Sequence, residues 1–261
     1  MGEGRPLQGE GVLDRLVHRR AVARWRRLAD AAAAMDLEGL RTLRGQARAL
    51  RRHLDRVLHV AEGRLALPAI GGANLRRPPG ADWIWRPDAW TGPVPVPGHA
   101  AVETRTEIAP GTTVFHDCAA SAITLRQVRN LRARDLAPFG IAVEVYDFDG
   151  SFLSLVLDLP EAGVTGLRLR HILRVEAIVE VEAPLEIFAR LNVKHGPNVE
   201  QIVREFPKGA DAAAVEFDLA YSKINEKRVE KAWIDLIFEG PRMNRVTLRD
   251  LTLIRRPRAD L

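Results

Sequence analysis

His116-Asp117-Cys118 is the one place in the chain where an imidazole, a carboxylate and a thiol adjoin. Successive side chains of a strand point to opposite faces, so His116 and Cys118 share a side and Asp117 does not. A Cys–His pair so placed can serve as nucleophile and base. A structural loop or strand end brings the same residues together without chemistry, and that reading is preferred. Cys118 is the only cysteine, which excludes an intrachain disulfide and fits a reducing compartment. Asp147-Phe-Asp149-Gly150 imitates the start of a calcium loop. Leu153, Leu155 and Leu157 follow where later ligands and a closing Glu belong, so the segment is read as a two-residue hairpin turn. The chain has no Gly-rich phosphate loop, G-x-S-x-G, H-E-x-x-H or paired CxxC. No metal, cofactor or catalytic residue is expected. An enzyme built around His116 and Cys118 is the weaker alternative.

Two other constellations suit binding. Tyr146, Arg190, Asn192, Lys194, Trp233 and Asp235 fall on the polar sides of alternating segments. Aromatic faces can stack on sugar C–H groups, while Asn, Asp and Arg offer fixed hydrogen bonds to hydroxyls. These six are the candidate ligand-binding residues, for a saccharide-like ligand. His195-Gly196-Pro197-Asn198 reads as a turn, with His195 at the rim of the same surface. The second constellation is Arg24-Trp25-Arg26-Arg27, suited to the phosphates of nucleic acid or the headgroups of an anionic membrane. Residues 1–64 hold 14 Arg and 8 acids, a net of +6, against 25 basic and 26 acidic residues in the remainder, a net of −1. The excess positive charge therefore lies at one end, interleaved with acids such as Asp30 and Asp55.

The elements that must position these residues change character near residue 64. Before it, Leu13, Val17, Ala21, Trp25, Leu28, Ala32 and Met35 recur every three or four positions, the signature of one helix face. Asp36 is expected to cap a second helix. Its seam, Leu40, Leu43, Ala47, Leu50, Leu54, Val57 and Ala61, alternates steps of three and four in heptad fashion. Gly63 is the expected stop. Seven prolines punctuate residues 64–98, with a joint at Gly71-Gly72 and with Trp83, Trp85 and Trp90. These tryptophans either staple the connector onto the following domain or form an aromatic ligand platform.

From about residue 99 the period is two. Ile141, Val143 and Val145 alternate with Glu144 and Tyr146, and Leu153, Leu155, Leu157 and Leu159 follow. Comparable runs occupy 175–182, 186–194, 215–221 and 233–239. Val246 and Leu248, then Leu251 and Leu253, slip by one residue, which predicts a β-bulge near Arg249-Asp250. Leu125, Val128, Leu131 and Leu136 suggest a short inserted helix within 122–138. The expected class is mainly β: an antiparallel jelly-roll-like β-sandwich over 99–261, preceded by a basic two-helix hairpin over 1–63 and a connector over 64–98.

The long pair Leu167–Glu182 and Pro184–Lys194, with the closing strand Arg245–Leu253, resembles jelly-roll modules of carbohydrate-binding and galactose-binding-like proteins. ARLNVKHGPN (189–198) and RVEKAWIDLIFEGP (228–241) resemble an alphaproteobacterial family of unknown function, which implies no activity and no catalytic residues. Together these readings predict a cytoplasmic, non-catalytic, ligand-binding protein. Residues 12–62 would serve for self-association or docking to a protein partner. The alternative is an adaptor for membranes or nucleic acid acting through the basic helices.

Overall fold

A computed structural model of the chain describes residues 12–69, 75, 77–132, 135–209 and 212–258. The chain divides into two compact units, Met1–Leu58 and His59–Leu261. In the first, α1 (Val12–Ala31) and the greater part of α2 (Leu37–Ala69), which runs on past Leu58, flank a short 3-10 turn at Ala32–Ala34. Asp36 caps α2, its Oδ1 accepting the Gly39 N–H at 3.1 Å. The helix continues through Gly63 to Ala69. One interior glycine costs about 1 kcal/mol, too little to end a long helix. The seam residues nearest the turn, Trp25, Leu28, Met35, Leu40 and Leu43, are half-buried, whereas Leu54 and Val57 are exposed. Among the described side chains of this unit none is buried. The Gly71-Gly72 joint lies outside the described residues.

The second unit is a sandwich of strands β1 (Trp83–Trp85), β2 (Gly98–Ala100), β3 (Thr106–Ala109), β4 (Thr112–His116), β5 (Ala122–Arg129), β6 (Phe139–Asp147) and β7 (Leu153–Asp158), then β8 (His171–Val181), β9 (Glu186–His195), β10 (Asn198–Glu205), β11 (Ala212–Asp218), β12 (Val229–Glu239) and β13 (Asn244–Pro257). A back sheet runs β11-β8-β13-β6-β5-β2, with β1 added to β13. A front sheet runs β10-β9-β12-β7-β4-β3. Every pairing is antiparallel, and the sandwich is jelly-roll-like. The alternation explains the layering. Leu125, Val143, Val175 and Leu253 of the back sheet join Val114, Leu155, Leu191 and Ile234 of the front sheet in one buried core. Each such side chain contributes about 1.5–3 kcal/mol by leaving water.

Three local expectations change. Residues 122–129 form strand β5, not a helix: Ile123 and Leu125 enter the core at period two, while Leu131 and Leu136 are exposed. Asp149-Gly150 does not close a hairpin, because β6 belongs to the back sheet and β7 to the front sheet. The loop crosses between layers instead, tied down where Asp117 accepts the Ser151 N–H at 2.7 Å and Asp149 accepts the Ala119 N–H at 3.2 Å. A turn signal marks where the chain reverses, not which sheet the next strand joins. The alternation over 215–221 also stops early, since β11 ends at Asp218 and Leu219–Tyr221 form a 3-10 turn.

Part of the connector is built into the sandwich. Trp83 and Trp85 pack against the core, and Trp90 is fully buried, its indole N–H donating to Leu248 O at 2.9 Å. Gly163 lies against the Trp83 ring, where an added Cβ would come within 2.5 Å of it. The bulge appears as a register shift between Leu248 and Asp250. There the buried Asp250 carboxylate receives Arg86 Nε and Nη2 at 2.7 and 2.9 Å.

Candidate functional site

The outward face of the front sheet carries a groove of about 510 Å³, and the strand register lays out its floor in rows. Across one row lie Thr113, Val156, Asp235, Arg190 and Val203. The row on one side is Phe115, Ser154, Ile237 and Phe188; the row on the other is Asp158, Trp233, Asn192 and Gln201. Lys231 and Lys194, paired across β12 and β9, complete that end, and Phe152 adds a second phenyl group near Phe115. Every one of these strand residues alternates with a core residue, so each is held by a side chain that cannot turn outward without exposing apolar surface.

Asp235 sits at the centre and is only 3% exposed. Its Oδ2 accepts from Arg190 Nε at 2.8 Å, Arg190 Nη2 at 2.6 Å and Asn192 Nδ2 at 3.1 Å. Asn192, also buried, accepts in turn from Gln201 Nε2 at 3.0 Å. A buried carboxylate is tolerable only when donors converge on it, and these do. Because all three donors reach Oδ2, Oδ1 is the oxygen that keeps acceptor capacity. Lys231 Nζ lies 5.6 Å from the Trp233 ring centroid and 2.8 Å from Asp158 Oδ1. Lys194 Nζ pairs with Glu230 at 2.7 Å, and that lysine holds the Glu230 carboxyl below its ordinary range.

Five of the six candidate residues therefore gather on this sheet: Arg190, Lys194, Trp233 and Asp235 line the groove, and Asn192 braces it from beneath. Tyr146 stands apart, exposed on β6 of the back sheet, with its hydroxyl donating to Glu144 Oε2 at 3.1 Å. His195 is buried, not at the rim, and its Nδ1 accepts the Asn225 N–H at 3.4 Å. Phe115, Phe152, Ser154, Val156, Asp158 and Lys231 also line the groove, beyond the six candidates expected from the sequence. Alternation marks Phe115, between Val114 and His116, as outward, but that short strand lacks enough apolar residues to stand out.

The His116-Asp117-Cys118 cluster is tied to backbone. The Cys118 N–H donates to His116 Nδ1 at 3.2 Å, so the proton resides on Nε2, which donates to Val102 O at 2.7 Å. The side-chain hydroxyl of Ser151 leads several hydrogen bonds that hold Asp117 low, and burial pushes the Cys118 thiol up. A thiol pushed up by burial, with the negative Asp149 carboxylate beside it and the His116 Nδ1 taken by the Cys118 N–H, is poorly suited to nucleophilic attack. Among the described residues no group of three or more His, Cys, Asp and Glu could hold a metal ion, and no helix is long and apolar enough to cross a membrane.

A family model described as "Family of unknown function (DUF6478)" matches residues 6–261. Among curated proteins none matches the chain. Solved structures that resemble it include a family 11 carbohydrate-binding module from Clostridium thermocellum in complex with a β-1,3-1,4-mixed-linked tetrasaccharide, at 12% identity and a TM-score of 0.40, covering 63% of this chain and 99% of that one. Another is TmCBM61 in complex with β-1,4-galactotriose, at 18% identity and a TM-score of 0.34, covering 55% of this chain and 88% of that one. A third is the enzymatically active domain of bacteriophage CBA120 tailspike protein 4, at 8% identity and a TM-score of 0.40; it covers 54% of this chain, which spans only 19% of that one. At such TM-scores the likeness carries no argument about ligand or activity.

Proposed function

The chain belongs to the DUF6478 family of unknown function, and we propose that it binds a saccharide-like ligand, without catalysis, in the groove of the front sheet. One observation carries this reading. An outward sheet face, which solubility alone would fill with charge, holds Trp233, Phe115 and Phe152 around a braced carboxylate. Aromatic rings beside a fixed acceptor suit a ligand with C–H faces and hydroxyl edges. Arg190, Lys194, Trp233 and Asp235 are the contact residues in this reading, and Asn192 is a positioning residue. Tyr146 would serve only a ligand reaching the back sheet. The test is a glycan array and calorimetry with wild type and Trp233→Ala. Wild type should bind and a folded Trp233→Ala should not; binding that survives the substitution removes the groove from consideration.

Residues 1–63 act in this proposal as an arm for self-association or docking, residues 64–98 as connector and 99–261 as the binding domain, in a cytoplasmic protein. Exposure of Leu54 and Val57 supports an arm that meets a second surface. A second reading, an adaptor for anionic membranes or nucleic acid, draws on the exposed Arg24, Arg26 and Arg27. Reversing those three to Glu in the full chain should abolish sedimentation with phosphatidylserine vesicles if the adaptor reading holds.

A further inference from the structure

We propose that the groove selects uncharged saccharide chains and rejects uronate or sulfated ones, an inference that rests on the saccharide reading above. Three cations line it, and each already has a carboxylate. Arg190 meets Asp235 at 2.6 Å, Lys194 meets Glu230 at 2.7 Å and Lys231 meets Asp158 at 2.8 Å. The groove with its immediate partners is thus electrically balanced and supplies no steering field for an anion.

The guanidinium is decisive. An arginine grips a carboxylate or sulfate through two parallel N–H groups. The Nε and Nη2 groups of Arg190, which form one such fork, are both engaged by Asp235 Oδ2. An incoming anion could take that fork only by pulling Arg190 away and leaving Asp235, at 3% exposure, as an unpaired buried charge; at the remaining Nη1 edge it would meet a guanidinium whose charge Asp235 already balances. The two lysine pairs are more exposed and open more easily, but opening either uncovers another carboxylate, Asp158 or Glu230, beside the anion. Lys231 is further occupied by the face of Trp233. What the site offers outward is acceptor capacity at Asp235 Oδ1, which attracts the O–H donors of a neutral sugar and repels negative oxygen.

The experiment is calorimetry on the full chain with cellohexaose, xylohexaose and hexagalacturonate. A neutral hexasaccharide should bind with a Kd that changes less than about twofold between roughly 50 and 500 mM NaCl, since no ion pair forms across the interface. Hexagalacturonate should bind at least about tenfold more weakly than that neutral chain. Tighter binding of hexagalacturonate, weakening as salt rises, overturns the charge selection and leaves the saccharide reading intact. Binding of none of the three overturns both. Asp235→Asn should narrow the gap between the neutral and acidic chains, and an unchanged ratio in a folded variant also counts against the proposal.

Discussion

The two sheets of the sandwich obey one rule inward and opposite rules outward. On the back sheet the outward positions are charged and answer one another: Arg174 reaches Glu176 at 2.7 Å and Glu216 at 3.1 Å, Arg249 reaches Glu180 at 3.0 Å, and Arg126 pairs with Glu144. On the front sheet Phe115, Val156, Phe188, Ile237 and Trp233 are half-buried around a single braced carboxylate, Asp235. Outward positions carry no packing duty to the core, so their chemistry is free to differ. One face has satisfied its polar groups internally and is left with little to offer a ligand. The other retains aromatic surface and an acceptor, which water satisfies less well than a fitting molecule does.

That contrast breaks most sharply at Asp235. Asp235→Ala strands Arg190 and Asn192, and should lower the unfolding free energy by about 2–4 kcal/mol in urea titration, slightly under a fully buried pair because Arg190 still reaches water. A loss under about 1 kcal/mol would mean the front face is as loosely held as the back. Gly163→Ala, which forces a Cβ against the Trp83 ring, should cost roughly 1–3 kcal/mol through overpacking and leave groove binding unchanged, since Gly163 and Trp83 do not line the groove. Removing one back-sheet partner, Arg174→Ala, should cost no more than about 1 kcal/mol, because its carboxylates stay half in water.

The back-sheet ladder should instead show itself collectively, through pH. Burial works to raise Glu144, but hydrogen bonds from Arg126, Thr124 and Tyr146 outweigh it and hold that carboxyl low. Glu180 behaves likewise, with burial opposed and outweighed by Arg132 and Arg249. A carboxyl lowered by folding stabilises the fold above its unfolded pKa, about 4.3 for Glu, and that contribution is lost as pH falls through the folded value. Asp250 runs the other way: burial raises it more than Arg86 lowers it, so its protonation on acidification favours the folded state. Urea midpoints measured below about pH 4.3 should therefore fall less steeply in Glu144→Gln and Glu180→Gln than in wild type. An identical slope would show that the ladder is not what acid removes.

Much of this was legible in the residues alone. Val143 and Val145, Leu155 and Leu157, Leu191 and Val193 declared their strands and their buried side through spacing. The Leu248-to-Leu251 slip declared the bulge, and Gly196-Pro197 declared a turn; that it joins β9 to a further strand, β10, with Asn198 opposite His195, came only with the structure. The candidate site was half legible. Trp233, Arg190 and Lys194 were found because each interrupts an apolar alternation. Tyr146 satisfied the same criterion and belongs to the other sheet. Asn192 and Asp235 were expected in water and are buried, because the neighbours that cover them come from strands distant in the chain.

The division follows from range. A strand's two faces are set by backbone geometry repeating every second residue, so composition and spacing suffice to say which side chains are apolar and together. Whether Asp149-Gly150 folds a strand back on its neighbour or carries it to the opposite layer depends on contacts with Asp117 and Ala119, some 30 positions away. That choice separated Tyr146 from Trp233 and brought Phe115 beside Ser154. Local periodicity determined what each strand would hide, and only the packing of whole layers decided what they would jointly display.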